Sequence, residues 1–127
     1  MDETSLTARV IKAIEHPAAN IFAHPTGRLL LERDGYKINL EEVISAAAAN
    51  NVALELNTHP ARFDLDWRWL RRARDAGCRI AVNTDAHRIS DLDSLELGTG
   101  IARKGWLRPE DVINTMNAEE LLTWARG

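Results

Sequence analysis

Apolar positions along this chain alternate between two spacings. Leu6, Val10, Ile11 and Ile14 fall three and four apart, which predicts an amphipathic helix over 5–15. The run "NIFA", 20–23, is short and apolar and reads as a strand ending at His24. Loop signals follow in "HPTGR" and "RDGY". Leu40, Val43, Ile44, Ala47 and Ala48 restore the helical spacing, with Asn39 and Glu42 placed as a capping pair and Asn50 and Asn51 as a stop. "VALEL", 52–56, predicts a second strand. Asp64 stands where it would cap a helix carrying Leu65, Trp69, Leu70 and Ala73 and ending at Gly77; "RIAVN", 79–83, predicts a third strand. The remainder reads as helix in three pieces, 91–103, 109–116 and 118–125. Pro109 suits the first position of the second piece, and Asn117 with Glu120 caps the third.

Helices between short apolar strands imply parallel strands joined by crossovers. Three strands make a small sheet, so the expected class is α/β, either part of an α/β barrel or a compact α/β layer. A length of 127 residues fits one domain, with 45% apolar and 28% charged residues in a soluble, globular balance. The formal net charge of −3 argues against a free-standing nucleic-acid binder, though not against an enzyme that meets nucleic acid through metal ions. No stretch approaches the roughly 18 apolar residues of a membrane span, and the start, "MDETSLTARV", has no basic leader; a cytoplasmic protein is expected. The single cysteine, Cys78, excludes an internal disulfide and reads as a small buried thiol beside an apolar run.

The strand ends change the picture. His24 stands just past the first strand, Asn57 just past the second, and Asp85 and His87 just past the third. In parallel α/β folds the carboxyl ends of the strands face one crevice, so these groups would converge. Imidazole and carboxylate are ordinary ligands of zinc, manganese or iron, and a D-x-H pair past a strand end can offer both. Glu55, one register from the second strand's tip, faces the interior or supports the site. Arg28 either clamps a phosphate with two parallel hydrogen bonds or pairs on the surface with Glu32 or Asp34. His16 lies at a helix end, where imidazole meets the negative pole; His59, two beyond Asn57, could touch the rim. "RWLRRAR", 68–74, reads as a solvated basic face. Trp67, Trp69, Trp106 and Trp124 read as core or interface packing rather than base-stacking platforms.

The stretches "FAHPTGRLLLERDGY", "ALELNTHPARFDLD", "IAVNTDAH" and "LGTGIARKGWLRPEDVINTM" resemble the C-terminal half of a PHP (polymerase and histidinol phosphatase) domain, most of all the one attached to bacterial family X DNA polymerases. The resemblance covers nearly the whole chain. It implies a partial, distorted TIM-like barrel with a divalent metal cluster (zinc, manganese or iron) at the carboxyl ends of the strands. It also implies metal-assisted phosphoester hydrolysis: 3′→5′ exonuclease and DNA-end processing in DNA repair for polymerase-associated members, and removal of a small-molecule phosphate for free-standing, histidinol-phosphatase-like members. His24 matches the ligand of the family's "GHP" motif, with Ala23 in place of the glycine. Asp85 and His87 match the ligands of "TDAH" and would be both metal-binding and catalytic. Asn57 and Arg28 match recurring positions expected to contact or support the substrate. The family's opening H-x-H pair and its following ligands have no counterpart here. Residues 1–127 are therefore expected to be the C-terminal part of the domain, with the N-terminal half and the polymerase domain absent, and to be incomplete or inactive alone. A non-catalytic remnant or assembly module with weak metal binding is the alternative. Half a barrel would leave two strand edges open, which predicts homo-oligomerisation with Trp67, Trp69 or Trp106 at the contact.

Overall fold

A computed structural model describes residues 1–126 of the chain. Helix α1, Glu3–Ile14, starts at Asp2, whose carboxylate accepts the Ser5 N–H at 2.7 Å. Strand β1 is only Ile21–Phe22. Helix α2, Leu40–Ala49, is capped by Asn39, which accepts the Glu42 N–H at 3.3 Å. The Asn39 N–H itself donates to Thr7 Oγ1 at 3.0 Å, so the cap also ties α2 to α1. Strand β2, Ala53–Asn57, helix α3, Trp67–Asp75, and strand β3, Ile80–Asn83, follow. Helices α4, Ser94–Lys104, and α5, Ala118–Arg126, complete the chain. At α5, Asn117 and Glu120 exchange backbone-to-side-chain bonds of 2.9 and 2.8 Å, the reciprocal cap their spacing predicts.

The three strands are parallel in the order β1-β2-β3, an α/β fold with the sheet open rather than closed into a barrel. Side chains alternate between the two faces. Leu54, Leu56, Ile80 and Val82 point into the main core with Ile14, Val43, Ile44, Leu70 and Ala73 from the helices. Ala53 and Ala81 point the other way, where Ile113, Met116 and Trp124 cover them. Glu55, Asn57 and Asn83 belong to this second face, since Glu55 pairs in register with Ala81, and Asn57 with Asn83. The sheet thus has one apolar face and one that turns polar toward the carboxyl ends of its strands.

Two sequence expectations are corrected here. The helix expected to begin at Asp64 is capped instead by Asp66, which accepts the Arg68 N–H at 2.9 Å; Asp64 is fully buried and used elsewhere. The helix expected over 109–116 is two short 3-10 turns, 109–111 and 113–115, broken at Val112. Val112 is extended because it makes a parallel bridge with Ile80. Asn114 then accepts the Val82 N–H and donates to the Val82 carbonyl, each at 2.8 Å, so one side-chain amide makes the two bonds a further strand would make. Of the two edges expected to be open, the β3 edge is therefore covered. The outer edge of β1 has no strand beside it among the described residues, and Ile21 is 45% exposed. No described helix is long and apolar enough to cross a membrane.

Candidate functional site

Two residues just past strand ends share an unusual backbone. His24 has φ 49° and Asp85 φ 54°, the left-handed region that side-chain-bearing residues rarely occupy. At His24 the buried Glu55 takes up the reversed chain: its Oε2 accepts the His24 N–H at 2.8 Å and lies 3.7 Å from His24 Nδ1. The other oxygen, Oε1, accepts from Asn83 Nδ2 at 3.0 Å, so one carboxylate spans all three strand ends.

Asn57 is completely buried at the centre of the rim. Its Oδ1 accepts the His59 N–H at 3.0 Å. A backbone N–H can only donate, so this bond fixes the amide's orientation and aims Nδ2 outward. Nδ2 lies 3.3 Å from His24 Nδ1 and 3.2 Å from Asp85 Oδ2. Histidine and aspartate, 61 positions apart in sequence, therefore share a single amide nitrogen. With Asn57 donating, His24 Nδ1 is the acceptor of this bond.

His87 stands beside Asp85, its Nδ1 2.7 Å from the Asp85 carbonyl oxygen and 4.0 Å from Oδ1. A carbonyl only accepts, so Nδ1 donates to it and Nε2 is left without a hydrogen-bond partner among the described residues; the side chain is 79% exposed. An imidazole held this way by a carbonyl is the arrangement typical of a metal-ligating histidine. The His87 N–H donates to Asp91 Oδ2 at 3.0 Å, and this bond foremost holds the Asp91 carboxyl below its ordinary value.

Arg28 does not reach outward as a phosphate clamp would. Its Nε donates to the Arg62 carbonyl at 2.9 Å, its Nη2 to the Phe63 carbonyl, and its Nη1 lies 3.8 Å from Asp66. Arg62 returns the exchange, donating from Nη1 to the Arg28 carbonyl at 3.3 Å, and its Nε lies 3.7 Å from Asp85 Oδ2. Asp64 completes the clasp by accepting the Thr26 and Gly27 N–H groups at 3.1 and 2.9 Å. Nothing in the local pattern assigns Arg62 a role, and Asp64 binds the first loop in place of the helix cap its position suggests. A signal for Arg62 lies between the two loops: "HPTGR" after the first strand is echoed by "HPAR" after the second, and the two arginines turn out to hold each other's loops. His59 lies in this second loop with Nδ1 accepting the Ala61 N–H at 3.1 Å, and His16 accepts the Ala18 N–H at 3.1 Å, remote from the rim.

His24, Asp85 and His87 suit a divalent cation in kind. In arrangement, Asp85 Oδ1 and His87 Nε2 are the open donors, while His24 Nδ1 is engaged by Asn57. Among the described residues no three or more His, Cys, Asp or Glu side chains are gathered to hold a metal.

The fold and rim define an open α/β layer with a carboxylate- and imidazole-bearing rim at the carboxyl ends of parallel strands. The chain is similar to the DNA polymerase/3′-5′ exonuclease PolX of Bacillus subtilis (strain 168), 40% identical over 119 residues, which are 94% of this chain and 21% of that protein. It is also similar to a "Probable phosphatase" of Thermoanaerobacter sp. (strain X514) and to another of Thermoanaerobacter pseudethanolicus, each 25% identical over 115 residues, 86% of this chain and 44% of the relative. The chain thus spans about a fifth of the first relative and under half of the others. No family model matches it.

Proposed function

We propose that this chain is a phosphoesterase segment, the C-terminal part of a PHP domain, acting within a family X DNA polymerase to trim DNA 3′ ends. The observation that carries this reading is the rim itself: His24 and Asp85 meet on Asn57 Nδ2, with His87 presenting a free ring nitrogen beside them. The 40% identity to PolX over 94% of the chain supports the same reading and favours DNA as the phosphate ester.

Asp85 and His87 would hold a divalent cation through their open donors, and His24 would join them by exchanging its Asn57 hydrogen bond for the ion, with further donors coming from chain outside this stretch. Such an ion supplies Lewis acidity toward a phosphate ester and eases deprotonation of water. The chain's own residues orient and hold. Asn57 sets the positions of His24 and Asp85, and Glu55 fixes the turn that carries His24. Arg62, whose Nε lies 3.7 Å from Asp85 Oδ2, would meet a phosphate oxygen, and Arg28 would contribute by holding the Arg62 loop. The open edge of β1 is where further chain, or a second copy, would pair.

Hydrolysis of an aryl phosphate with added manganese, together with bound-metal content by elemental analysis, tests this reading. Asp85→Ala should abolish both. Equal rates and equal metal in the variant and the parent would remove the assignment.

A further inference from the structure

Helix α4 ends in an arrangement that normally belongs to glycine. The Leu107 N–H donates to the Ala102 carbonyl at 3.0 Å and the Trp106 N–H to the Arg103 carbonyl at 2.9 Å, the paired bonds of a Schellman cap. The residue in the left-handed position of that cap is Trp106, at φ 62°, while Gly105 precedes it. Gly105 is needed one place early because a Cβ there would come within 3.0 Å of Leu70 Cβ and 3.1 Å of the Trp67 carbonyl. The chain thus places its bulkiest side chain where glycine is preferred, and leaves it 59% exposed.

One cation lies over this indole and another over its neighbour Trp67. The Arg71 guanidinium carbon lies 3.8 Å from the centre of the Trp106 ring, and Lys104 Nζ lies 5.0 Å from that of Trp67. Among the described residues neither Arg71 nor Lys104 has a carboxylate partner, whereas their neighbours Arg72 and Arg74 are paired with Glu41 and Asp111. In a chain of net charge −3, this is an uncompensated positive patch interleaved with indole rings. It begins one residue after Asp66, which lies 3.8 Å from Arg28 of the rim loop.

We infer that Trp67, Arg71, Lys104 and Trp106 form a binding surface for single-stranded nucleic acid, with bases on the indole faces and phosphates on the free cations. Alternating π-faces and cations match an unpaired strand, whose bases are free to stack; a duplex hides those faces. The inference deepens the reading of a DNA-end-trimming segment by adding a place beside the rim that holds the strand.

Fluorescence anisotropy of the 127-residue chain with a labelled thymidine oligonucleotide of about 16 nucleotides, and with the matching duplex, is the test. The single strand should bind more tightly than the duplex. Trp106→Gly should weaken that binding roughly tenfold. Its melting temperature should be no lower than the parent's, because glycine fits the left-handed cap. Lys104→Ala should reduce the salt dependence by about one counterion. Preference for the duplex, no binding by the parent chain, or unchanged affinity in Trp106→Gly would overturn the inference. So would a marked loss of melting temperature in that variant, which would make Trp106 a packing residue. Anisotropy repeated with a chelator and no divalent metal separates the two readings: the single strand should bind as tightly as before. Strand binding that depends on Trp106, in a chain that neither hydrolyses phosphate esters nor binds metal, would leave this surface standing and remove the rim assignment.

Discussion

A single buried amide organises the rim. Asn57→Ala strands the His59 N–H and removes the donor shared by His24 and Asp85, so it should cost about 1–3 kcal/mol in urea unfolding. Asn57→Asp keeps the shape and the acceptor for His59 but sets a carboxylate against Asp85, and should be destabilising at pH 7 for that reason. Burial pushes the Cys78 thiol up to about 11. It should therefore resist a thiol reagent at pH 8 in the native state and react on unfolding; rapid native labelling would contradict the placement. At this scale the sequence showed which groups lie past strand ends, since strand length and polarity are local. It did not show where Arg28 points. That side chain is captured by carbonyls 34 and 35 residues away, a contact no local pattern encodes.

Among the elements, caps decide boundaries. Asp66 holds the start of α3, and its bond to the Arg68 side chain, foremost, lowers its carboxyl below the ordinary 3.8. A lowered folded value contributes stability that is present above pH 3.8 and is lost as pH falls through that lower value. Asp66→Ala should cost roughly 1 kcal/mol near neutral pH, with the gap to the parent narrowing in acid; urea midpoints across pH measure this. Periodicity located α1, α2, α4 and α5 to within a few residues because their apolar stripes face one core. It failed over 109–116, where good helix-starting residues are overruled by the bridge from Val112 to Ile80. It also placed the cap of α3 two residues early. Asp64 and Asp66 are equivalent as letters, and only burial against Thr26 and Gly27 tells them apart.

The whole molecule is an open layer. The α/β class was readable from the alternation of elements, but which edge would be covered was not, because the cover is the side chain of Asn114. The free edge of β1, with Ile21 exposed on one face, predicts concentration-dependent association in light scattering. Ile21→Lys should suppress it, since a charge on a strand edge opposes pairing. A monomer at every concentration in the unmodified chain would contradict this.

The amide that closes one side of the sheet has a further consequence. A tile with adhesive on a single side can meet one neighbour and then has nothing left to offer. Growth of this sheet should therefore stop at a pair, and ribbons or fibrils would require Asn114 to let go of Val82 first.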